Sequence, residues 1–238
     1  MENRPVILIT GAAKRLGRLL ALDLSDRGAK IAVHYKDSEE AAHQLVKEIR
    51  QKEAPSAAFH ADLTSKTQID QMVDQVIETF GRIDVLINNA SVFYKTPFGQ
   101  VTEQDWDRLM DTNLKGPFFC AQAVGRQMLQ QSRLGACPKI ITISDSEGPQ
   151  SRKQYQPYWI SKAALSALTE TLAQSFMPHI LVNSIAPGPL AFAEDHSEIK
   201  NQMPVDPVEV VKAVRFLVEE ANAITGNTFV IDHGRRYH

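Results

Sequence analysis

The 238-residue chain contains only two cysteines, Cys120 and Cys137. Two cysteines cannot build the disulfide framework on which small secreted domains depend, so we expect a reducing compartment and a cytoplasmic protein. Long apolar runs are missing too, and the first short one, Val6–Ile9, begins almost at the N-terminus. We therefore expect neither a signal peptide nor a membrane-spanning helix.

An excess of basic residues is also missing. The chain has 26 Lys and Arg residues against 28 Asp and Glu residues, and no segment collects a basic stripe. Nucleic-acid binding depends on clustered cations that meet phosphates, so we expect no nucleic-acid partner. The histidines lack the spacing of a metal motif such as His-Glu-x-x-His, so we expect no metal site and mostly surface or loop positions. They are His34, His43, His60, His179, His196, His233 and His238.

What the chain does have is an alternation of short apolar, β-branched runs with longer amphipathic ones. Runs that are apolar on both faces suit strands covered by helices on each side. The predicted strands are Val6–Thr10, Lys30–Tyr35, Ala57–His60, Asp84–Asn88, Lys139–Ser144, Ile180–Ile185 and Thr228–Ile231. Such alternation predicts an α/β protein with a single Rossmann-type domain over residues 1–238: a doubly wound parallel sheet of about seven strands with helices on both faces.

Six amphipathic stretches predict the helices between these strands. They are Arg15–Gly28, Glu39–Lys52, Lys66–Phe80, Glu103–Gln130, Tyr158–Phe176 and Pro207–Glu220. Thr102 and Asp105 form a capping-box pattern at the start of the fourth helix, and Gly28 and Gly81 stand where helices should end. The segment 187–207 follows neither period, and irregular segments of that length inside a domain often form lids over a substrate.

A glycine-containing turn, Thr10–Gly17, follows the first predicted strand and enters the first predicted helix. This context suits a dinucleotide, because glycines allow a tight turn and the N–H groups of a helix N-terminus face the pyrophosphate. Arg15 stands where the six-residue fingerprint of such turns has its middle glycine. The turn predicts dinucleotide binding, with an ordinary strand-to-helix connection as the alternative.

The residues at the end of the second strand indicate which dinucleotide binds. An NAD site usually offers a carboxylate to the ribose 2′-hydroxyl there, whereas NADP needs a cation for its 2′-phosphate. Lys36 supplies such a cation, and Lys14 and Arg15 of the turn add to it. Ser38 can donate a hydrogen bond to the 2′-phosphate, whereas the negative charge of Asp37 disfavours a phosphate at this place. We expect NADPH as the cofactor, with a solvated surface lysine as the alternative role for Lys36.

Tyr158 and Lys162 lie four residues apart at the start of the fifth predicted helix. This spacing places both side chains on one helix face, one turn apart. A phenol is a poor acid at neutral pH unless its anion is stabilised, and an adjacent ammonium group does so. The helix follows a strand whose carboxyl end faces the expected ligand crevice. The pair therefore predicts an acid for the chemistry, although an amphipathic helix without function can carry the same spacing.

These motifs, together with four others, stand in an order that covers nearly the whole chain. The other four are Asp62 after the third strand, Asn88-Asn89-Ala90 after the fourth strand, Asn113 in the fourth helix and Pro187-Gly188 after the sixth strand. With this ordered set, the chain resembles the short-chain dehydrogenase/reductase family. The resemblance implies hydride transfer from a nicotinamide bound over a single Rossmann domain.

Residue by residue, the resemblance places Asn113, Tyr158 and Lys162 at catalytic positions. Tyr158 is then the proton donor, and Lys162 holds the nicotinamide ribose. Asp62 matches the adenine-contacting position. The cofactor-binding residues implied are Gly11, Lys14, Arg15, Leu16, Gly17, Tyr35, Lys36, Ser38, Asp62, Leu63, Asn89, Ala90, Pro187 and Gly188.

Asp145 occupies the position, thirteen residues before Tyr158, where most members of the family carry a serine that donates a hydrogen bond to the substrate carbonyl. An ionised carboxylate accepts hydrogen bonds and repels a developing oxyanion, so it works against ordinary ketone reduction. It suits reduction of a C=N bond, since a proton must reach a ring nitrogen and the substrate itself offers N–H donors. The alternative is a one-residue slip of the loop that brings Ser144 or Ser146 into the site.

Three further features resemble the pteridine reductases within this family: Arg15 in the turn, Ser91 where most relatives have glycine, and Phe93-Tyr94 shortly after it. The ending Asp232–Arg236 looks more like the bacterial dihydromonapterin reductases. The resemblance implies that a flat pterin ring stacks between Phe93 and the nicotinamide, while Ser91 and Arg15 reach the pterin and the cofactor phosphates. Stacking buries both ring faces and leaves the ring edges free for hydrogen bonds.

The sequence thus predicts an NADPH-dependent reductase of a dihydropterin such as dihydromonapterin or dihydrobiopterin, with dihydrofolate as a further candidate substrate. In this hypothesis Tyr158, with Asp145, delivers the proton to the ring nitrogen, and lid residues including Leu190 and Phe192 exclude water. The alternatives are a carbonyl reductase acting on a 3-oxoacyl thioester or a sugar-like ketone, and a non-catalytic NADP-binding regulator. The family resemblance also implies a homotetramer built through the fourth and fifth helices.

Overall fold

The computed structural model describes residues 4–131, 137–146, 154–192 and 204–237. Their strands are β1 (Val6–Ile9), β2 (Lys30–Tyr35), β3 (Ser56–His60), β4 (Val85–Asn88), β5 (Lys139–Ile143), β6 (Leu181–Pro187) and β7 (Thr228–Ile231). They form one sheet in the order β3-β2-β1-β4-β5-β6-β7, and every neighbouring pair is parallel. The chain reverses its direction of winding between β1 and β4, which is where ligands of such sheets bind. The predicted single-domain Rossmann architecture with seven parallel strands is confirmed.

Helices cover both faces of this sheet. They are α1 (Arg15–Asp26), α2 (Glu39–Gln51), α3 (Lys66–Phe80), α4 (Glu103–Met110), α5 (Gly116–Gln131), α6 (Gln156–Phe176) and α7 (Pro207–Glu219). A short 3-10 turn, Arg235–Tyr237, follows β7. None of the helices in the described part of the chain combines the length and the apolar character that crossing a membrane requires.

The prediction of one continuous fourth helix over Glu103–Gln130 is wrong. A π-helical turn, Asp111–Lys115, separates α4 from α5. Hydrophobic periodicity cannot reveal such a turn, because the apolar positions continue on either side of it. The π-helical turn matters for the site, because it contains Asn113 and such irregularities often occur at functional positions.

β1 shows why the strands read as continuous apolar runs. Its side chains alternate between the two faces of the sheet, and all four are fully buried. Ile7 and Ile9 pack into the core on the face covered by α1, α2 and α7, whereas Val6 and Leu8 pack into the core on the opposite face. A strand between two helical layers has no polar side, so its sequence shows no alternation.

The predicted ends of two helices are correct in detail. The side chain of Thr102 accepts a hydrogen bond from the backbone N–H of Asp105, and the carboxylate of Asp105 accepts one from the backbone N–H of Thr102. These two bonds form the predicted capping box of α4. Gly81 ends α3 with φ of 82°, a left-handed conformation that costs glycine little. Both signals are local, which is why the sequence displays them.

The segment after β6 is anchored at both of its described ends. The N–H of Ala191 donates to the carbonyl of Val205 at 2.9 Å, and the N–H of Val205 donates to that of Pro189 at 2.8 Å. This pairing holds Leu190 and Phe192 beside the carboxyl end of the sheet. The middle of the predicted lid, residues 193–203, lies outside the described residues.

Candidate active site

A cleft of about 1850 Å³ runs along the carboxyl ends of the strands. Its lining contains all of the cofactor-binding and substrate-binding residues that the sequence predicts. The predicted cofactor residues in the lining are Gly11, Lys14, Arg15, Leu16, Gly17, Tyr35, Lys36, Ser38, Asp62, Leu63, Asn89, Ala90, Pro187 and Gly188. The predicted substrate and acid–base residues are Ser91, Phe93, Asp145, Tyr158, Lys162 and Leu190. Of the predicted site residues, Asn113 alone lies behind the wall of the cleft.

Two glycines of the turn are required by close packing. Gly11 has φ of +61°, and a Cβ on it would lie 2.9 Å from the Cα of Ala90. A Cβ on Gly17 would lie 2.3 Å from the carbonyl oxygen of Gly11 and 2.7 Å from Nδ2 of Asn89. Neither position has room for a side chain, so the turn sits tightly between α1 and the loop after β4 and presents its backbone to the cleft.

Thr10 and Asn89 fasten this turn to the loop after β4. Thr10 Oγ1 accepts hydrogen bonds from the N–H groups of Asn89 and Ala90 at 2.9 and 3.0 Å. In return, Nδ2 of Asn89 donates to the carbonyls of Thr10 and Gly11 at 2.9 and 3.1 Å. The two loops therefore form one hydrogen-bonded unit at the point where the sheet reverses direction.

Arg15 takes a left-handed conformation, with φ of 51°, at the position where the six-residue fingerprint has glycine. A non-glycine residue in this conformation costs on the order of 1 kcal/mol, and such strain is common at functional turns. Its guanidinium carbon lies 4.3 Å from the ring centroid of Phe192, over the ring face. Arg15 thereby connects the glycine-containing turn to the segment that follows β6 through a cation–π contact.

Lys36 and Asp62 form an ion pair across the ends of β2 and β3, with Nζ 2.7 Å from Oδ2. Asp62 also accepts hydrogen bonds from the N–H and hydroxyl of Thr64 at 2.9 and 2.8 Å. Burial alone raises the pKa of Asp62, but the hydrogen bonds from Lys36 and Thr64 outweigh it and bring the pKa below the ordinary value. The predicted phosphate-binding cation and the predicted adenine contact are thus direct neighbours.

The predicted proton donor lies against Asp145, the residue at which the sequence departs from the pattern of the family that it resembles. Tyr158 Oη donates a hydrogen bond to Oδ2 of Asp145 at 2.8 Å. Lys162 Nζ lies 5.7 Å from the centroid of the Tyr158 ring and donates to the carbonyl of Ile143 at 3.0 Å. Burial lowers the pKa of Lys162 to about 8, while the negative charge of Asp145 raises it. Phenol, carboxylate and amine therefore form one interacting group at the end of β5.

The structure places Asp145, rather than a neighbouring serine, in this group. Ser144 is buried, and its hydroxyl oxygen lies 2.9 Å from Oγ of Ser184 and 3.2 Å from the carbonyl of Ile185. The N–H groups of Ser144 and Ser146 donate to the carbonyls of Ile185 and Pro187, which sets the register of the loop against β6. The alternative of a one-residue slip is therefore not what the structure adopts.

Asn113 holds the loop after β4 with its side-chain amide. Its Oδ1 accepts hydrogen bonds from the N–H of Val92 at 2.8 Å and the hydroxyl of Ser91 at 3.2 Å. Its Nδ2 donates to the carbonyl of Val92 at 3.0 Å and lies 3.3 Å from Oγ of Ser161 on α6. The π-helical turn thus aims Asn113 at the back of the cleft wall, and its side chain acts there by positioning Ser91 and α6.

An aromatic wall stands beside Tyr158. The rings of Phe93 and Tyr155 stack with centroids 4.5 Å apart and an angle of 6°, and Tyr158 meets Phe93 edge-on at 4.7 Å. Trp159 packs edge-on against Tyr158 at 5.4 Å. Phe93 is 51% exposed although it belongs to this cluster. The sequence predicts only Phe93. Tyr155 lies three residues before the Tyr-x-x-x-Lys motif and Trp159 lies within it, and this proximity to the motif is the signal that could have found them.

His34 is a further lining residue that sequence reasoning missed. The expectation that most histidines are exposed holds for His43, His60, His179 and His233, but His34 is buried at the end of β2. Its Nδ1 lies 2.9 Å from the backbone N of Gly11. His196 and His238 lie outside the described residues. Among the described residues, no group of His, Cys, Asp and Glu side chains is placed to hold a metal ion.

The fold and the cleft define a Rossmann-type protein with a tyrosine–lysine pair at the carboxyl end of its sheet. The chain belongs to the short chain dehydrogenase family, an oxidoreductase family whose model matches residues 5–203. It is 34% identical over 240 residues to a 3-oxoacyl-(acyl-carrier-protein) reductase of Staphylococcus epidermidis, covering 95% of this chain and 97% of the relative. It is 33% identical to the protein of that name from a Synechocystis species, covering 96% of both.

Solved structures show the same likeness. A short-chain dehydrogenase/reductase of Burkholderia xenovorans superposes with a TM-score of 0.92 at 27% identity over the full length of both chains. An acetoin dehydrogenase of Enterobacter cloacae gives a TM-score of 0.89 at 30% identity, covering 100% of this chain and 97% of that one. A dehydrogenase of Burkholderia cenocepacia with bound NADP gives a TM-score of 0.86 at 29% identity, covering 97% of this chain and 93% of that one.

Proposed function

We propose that this oxidoreductase reduces a C=N bond of a dihydropterin with NADPH. The observation that carries the proposal is the contact between Tyr158 and Asp145, together with the orientation of Ser144 toward Ser184. A carboxylate in this place disfavours the oxyanion that forms when a ketone is reduced. It favours a substrate that brings N–H donors and takes up a proton on nitrogen.

NADP(H) fits the cradle that the cleft offers. The absence of room for a Cβ at Gly17 and the left-handed Gly11 leave backbone N–H groups of the turn close to the surface at the start of α1, where pyrophosphate binds in this fold. Lys36 and Ser38 would hold the 2′-phosphate, Asp62 and Leu63 the adenine, and Lys162 the nicotinamide ribose. When bound, the nicotinamide supplies a hydride. Structural relatives that contain NADP or NADPH support this assignment.

Three side chains would handle the proton. Tyr158 donates its phenolic proton to the substrate nitrogen, and Asp145, which already accepts that proton in a hydrogen bond, orients the phenol. Asp145 also accepts hydrogen bonds from N–H groups on the edge of the pterin. Lys162 stabilises the phenolate that is left, because it is the adjacent ammonium group.

Phe93 would be the platform for the pterin ring. It is half-exposed in the cleft, and Tyr155 and Tyr158 hold it in place. A planar heterocycle stacked on this ring keeps its edge free for Ser91 and Asp145. A flexible acyl chain gains less from such a flat surface, so the platform favours an aromatic substrate.

The second candidate is a 3-oxoacyl thioester reductase, because the two curated relatives described above carry that name. Within the chain, the contacts at this position oppose it, since the hydroxyl of Ser144 lies in a buried contact with Ser184 while Asp145 accepts the hydrogen bond of Tyr158. A ketone reductase built on this chain would have to work with Asp145 where a hydroxyl donor is expected.

The test is the loss of NADPH absorbance with purified protein and three substrates in parallel: 7,8-dihydromonapterin, 7,8-dihydrofolate and an acetoacetyl thioester. We expect turnover of the dihydropterin and none of the thioester. Turnover of the thioester alone would overturn the pterin assignment in favour of the second candidate. NADPH binding without turnover of any of the three would instead favour a regulator that binds NADP(H) without catalysis.

We also propose that the protein assembles as a homotetramer through α4, α5 and α6. In the segment Leu114–Val124, Cys120, Ala121 and Val124 are buried in the core, whereas Phe118 is 41% exposed. Exposed apolar side chains on neighbouring helices mark interfaces in many proteins. Light scattering after size-exclusion chromatography would test this, with a mass of a single 26.5 kDa chain as the contrary result.

A further inference from the structure

We propose that His34 is a positioning residue for the phosphate-binding turn, and that it acts as a hydrogen-bond acceptor in one fixed tautomer. The proposal rests on the NADP(H) site described above and assigns the control of that turn to a side chain on the neighbouring strand. His34 would act through Gly11, without direct participation in the chemistry at Tyr158.

The two ring nitrogens of His34 have different partners. The N–H of Gly11 donates to Nδ1 at 2.9 Å, so Nδ1 must be the unprotonated nitrogen. Nε2 lies 3.0 Å from the carbonyl oxygen of Ala61, so it must carry the proton. A backbone donor on one side and a backbone acceptor on the other allow one neutral tautomer only.

The backbone of the same residue adds a third connection. The N–H of Ala12 donates to the carbonyl of His34 at 3.0 Å. His34 therefore binds two successive residues of the turn, Gly11 through its ring and Ala12 through its carbonyl. At its far side, the ring reaches the end of β3, where Ala61 precedes Asp62. The turn for the phosphates and the end of β3 are tied together through one imidazole.

The surroundings of the ring favour the neutral form that this role requires. Burial lowers the pKa of His34 to about 4; the hydrogen bond to Ala61 raises it, His60 lowers it and Asp62 raises it. Asp62 is itself paired with Lys36. On the side of the glycine-containing turn, the ring meets the backbone donor of Gly11. At neutral pH the ring therefore stays an acceptor toward Gly11.

The consequence for the cofactor is geometric. Gly11 has a left-handed backbone and no room for a Cβ beside Ala90, and a glycine by itself restricts the rotation of its peptide little. By accepting from the N–H of Gly11, His34 fixes which way that peptide points. The residues of the turn from Ala13 to Gly17 line the cleft where the phosphates would lie. Loss of the acceptor leaves a partly buried N–H without its partner and weakens the orientation of the whole turn.

The experiment compares NADPH dissociation constants, measured by fluorescence titration, for wild type, three His34 variants and one control variant. His34→Leu removes both ring hydrogen bonds, and we expect about tenfold weaker NADPH binding. His34→Asn puts an acceptor at the place of Nδ1 and should bind within about threefold of wild type. His34→Gln puts its amide at the place of Nε2 and should bind as weakly as the Leu variant. His179→Leu, which changes an exposed histidine, should leave binding unchanged.

Kinetic and spectroscopic measurements separate positioning from a general structural role. With a substrate in hand, His34→Leu should raise the KM for NADPH while kcat at saturating NADPH stays within about twofold. Ring ¹⁵N chemical shifts of histidine-labelled wild type should show one histidine that is protonated at Nε2 alone at a pH between the value near 4 for His34 in the folded protein and its ordinary value of 6.5.

Each outcome has a distinct meaning. Equal NADPH affinity of His34→Leu and wild type, at unchanged melting temperature, would overturn the role of His34 and leave the cofactor assignment intact. If His34→Leu does not fold, equal NADPH affinities of His34→Asn and His34→Gln would overturn the role of His34 in the same way. Wild type that binds no NADPH would overturn the cofactor assignment itself, and with it the role of His34.

Discussion

The phenol of Tyr158 donates its hydrogen bond to Asp145, with 2.8 Å between Oη and Oδ2. In this arrangement the proton that Tyr158 would give to a substrate already points at a carboxylate of the protein. A substrate must enter between or beside these two groups and offer a better acceptor for the tyrosine. A ring nitrogen next to N–H donors can satisfy both residues at once, whereas a lone carbonyl oxygen can satisfy only Tyr158.

Removing the charge of Asp145 tests this relationship. In Asp145→Asn, we expect kcat with a dihydropterin to fall about a hundredfold, because a neutral amide oxygen accepts from the tyrosine more weakly than a carboxylate and the amide NH2 cannot accept from the N–H groups of the pterin. Ser144→Ala is the matched control next to it, and we expect activity within about twofold of wild type, since Ser144 faces Ser184. A strong loss in Ser144→Ala with an active Asp145→Asn would contradict the assignment.

Lys36 should decide the preference for NADPH over NADH. In Lys36→Ala, we expect the KM for NADPH to rise about tenfold and the KM for NADH to stay unchanged, because only NADPH carries a 2′-phosphate. The ion pair of Lys36 with Asp62 is half-exposed, so its loss should hardly affect the melting temperature. Lys66→Ala is the control, since Lys66 is equally exposed and paired with Asp70. Equal effects of Lys36→Ala on both cofactors would contradict the prediction.

Phe93 should contribute to substrate affinity rather than to folding. In Phe93→Ala, we expect the KM for a dihydropterin to rise about tenfold, because one stacking surface is lost, while the KM for NADPH changes little. Phe98→Ala serves for comparison, since Phe98 is on the same loop, is 78% exposed and lies outside the cleft lining. Steady-state kinetics with both substrates varied would measure the KM for the dihydropterin and the KM for NADPH separately. An unchanged KM for the dihydropterin in Phe93→Ala would argue against the role of Phe93 as a platform.

The amine of Lys162 predicts an alkaline limit for the reaction. Burial lowers its pKa to about 8, so the group is an ammonium ion below this pH and a neutral amine above it. We expect kcat/KM to fall as the pH rises through this value, because the neutral amine no longer stabilises the phenolate. Lys162→Arg keeps the positive charge and should shift the fall to higher pH. A profile that stays flat to about pH 10 in wild type would contradict this role.

His34 predicts a loss of stability in acid. The unfolded chain takes up a proton at His34 as the pH falls through 6.5, whereas the folded protein takes it up only near 4. Between these values the unfolded state binds more protons, so the free energy of unfolding must decrease as the pH falls. We expect the contribution of His34 to decrease by about 3 kcal/mol over this range. Urea unfolding of wild type and His34→Asn should show the extra slope in wild type alone.

The sequence by itself determined the features that depend on residues close to one another along the chain. Apolar runs of four to six residues and the glycine-containing turn were enough to predict the seven strands and their order along the chain. The spacing of Tyr158 and Lys162 was enough to put both on one face of α6. These signals are local, because strand burial, helix periodicity and turn geometry depend on residues that are close in the chain.

The tertiary structure alone decided which polar side chains reach the cleft. Whether Asp145 or Ser144 faces Tyr158 depends on hydrogen bonds from the loop to β6, about forty residues further along the chain. The burial of His34 depends on contacts with Gly11 and Ala61, both more than twenty residues away. The direction of Asn113 depends on a π-helical turn that no periodicity marks. A one-residue shift reverses the direction of a side chain, and only packing between distant segments sets that register.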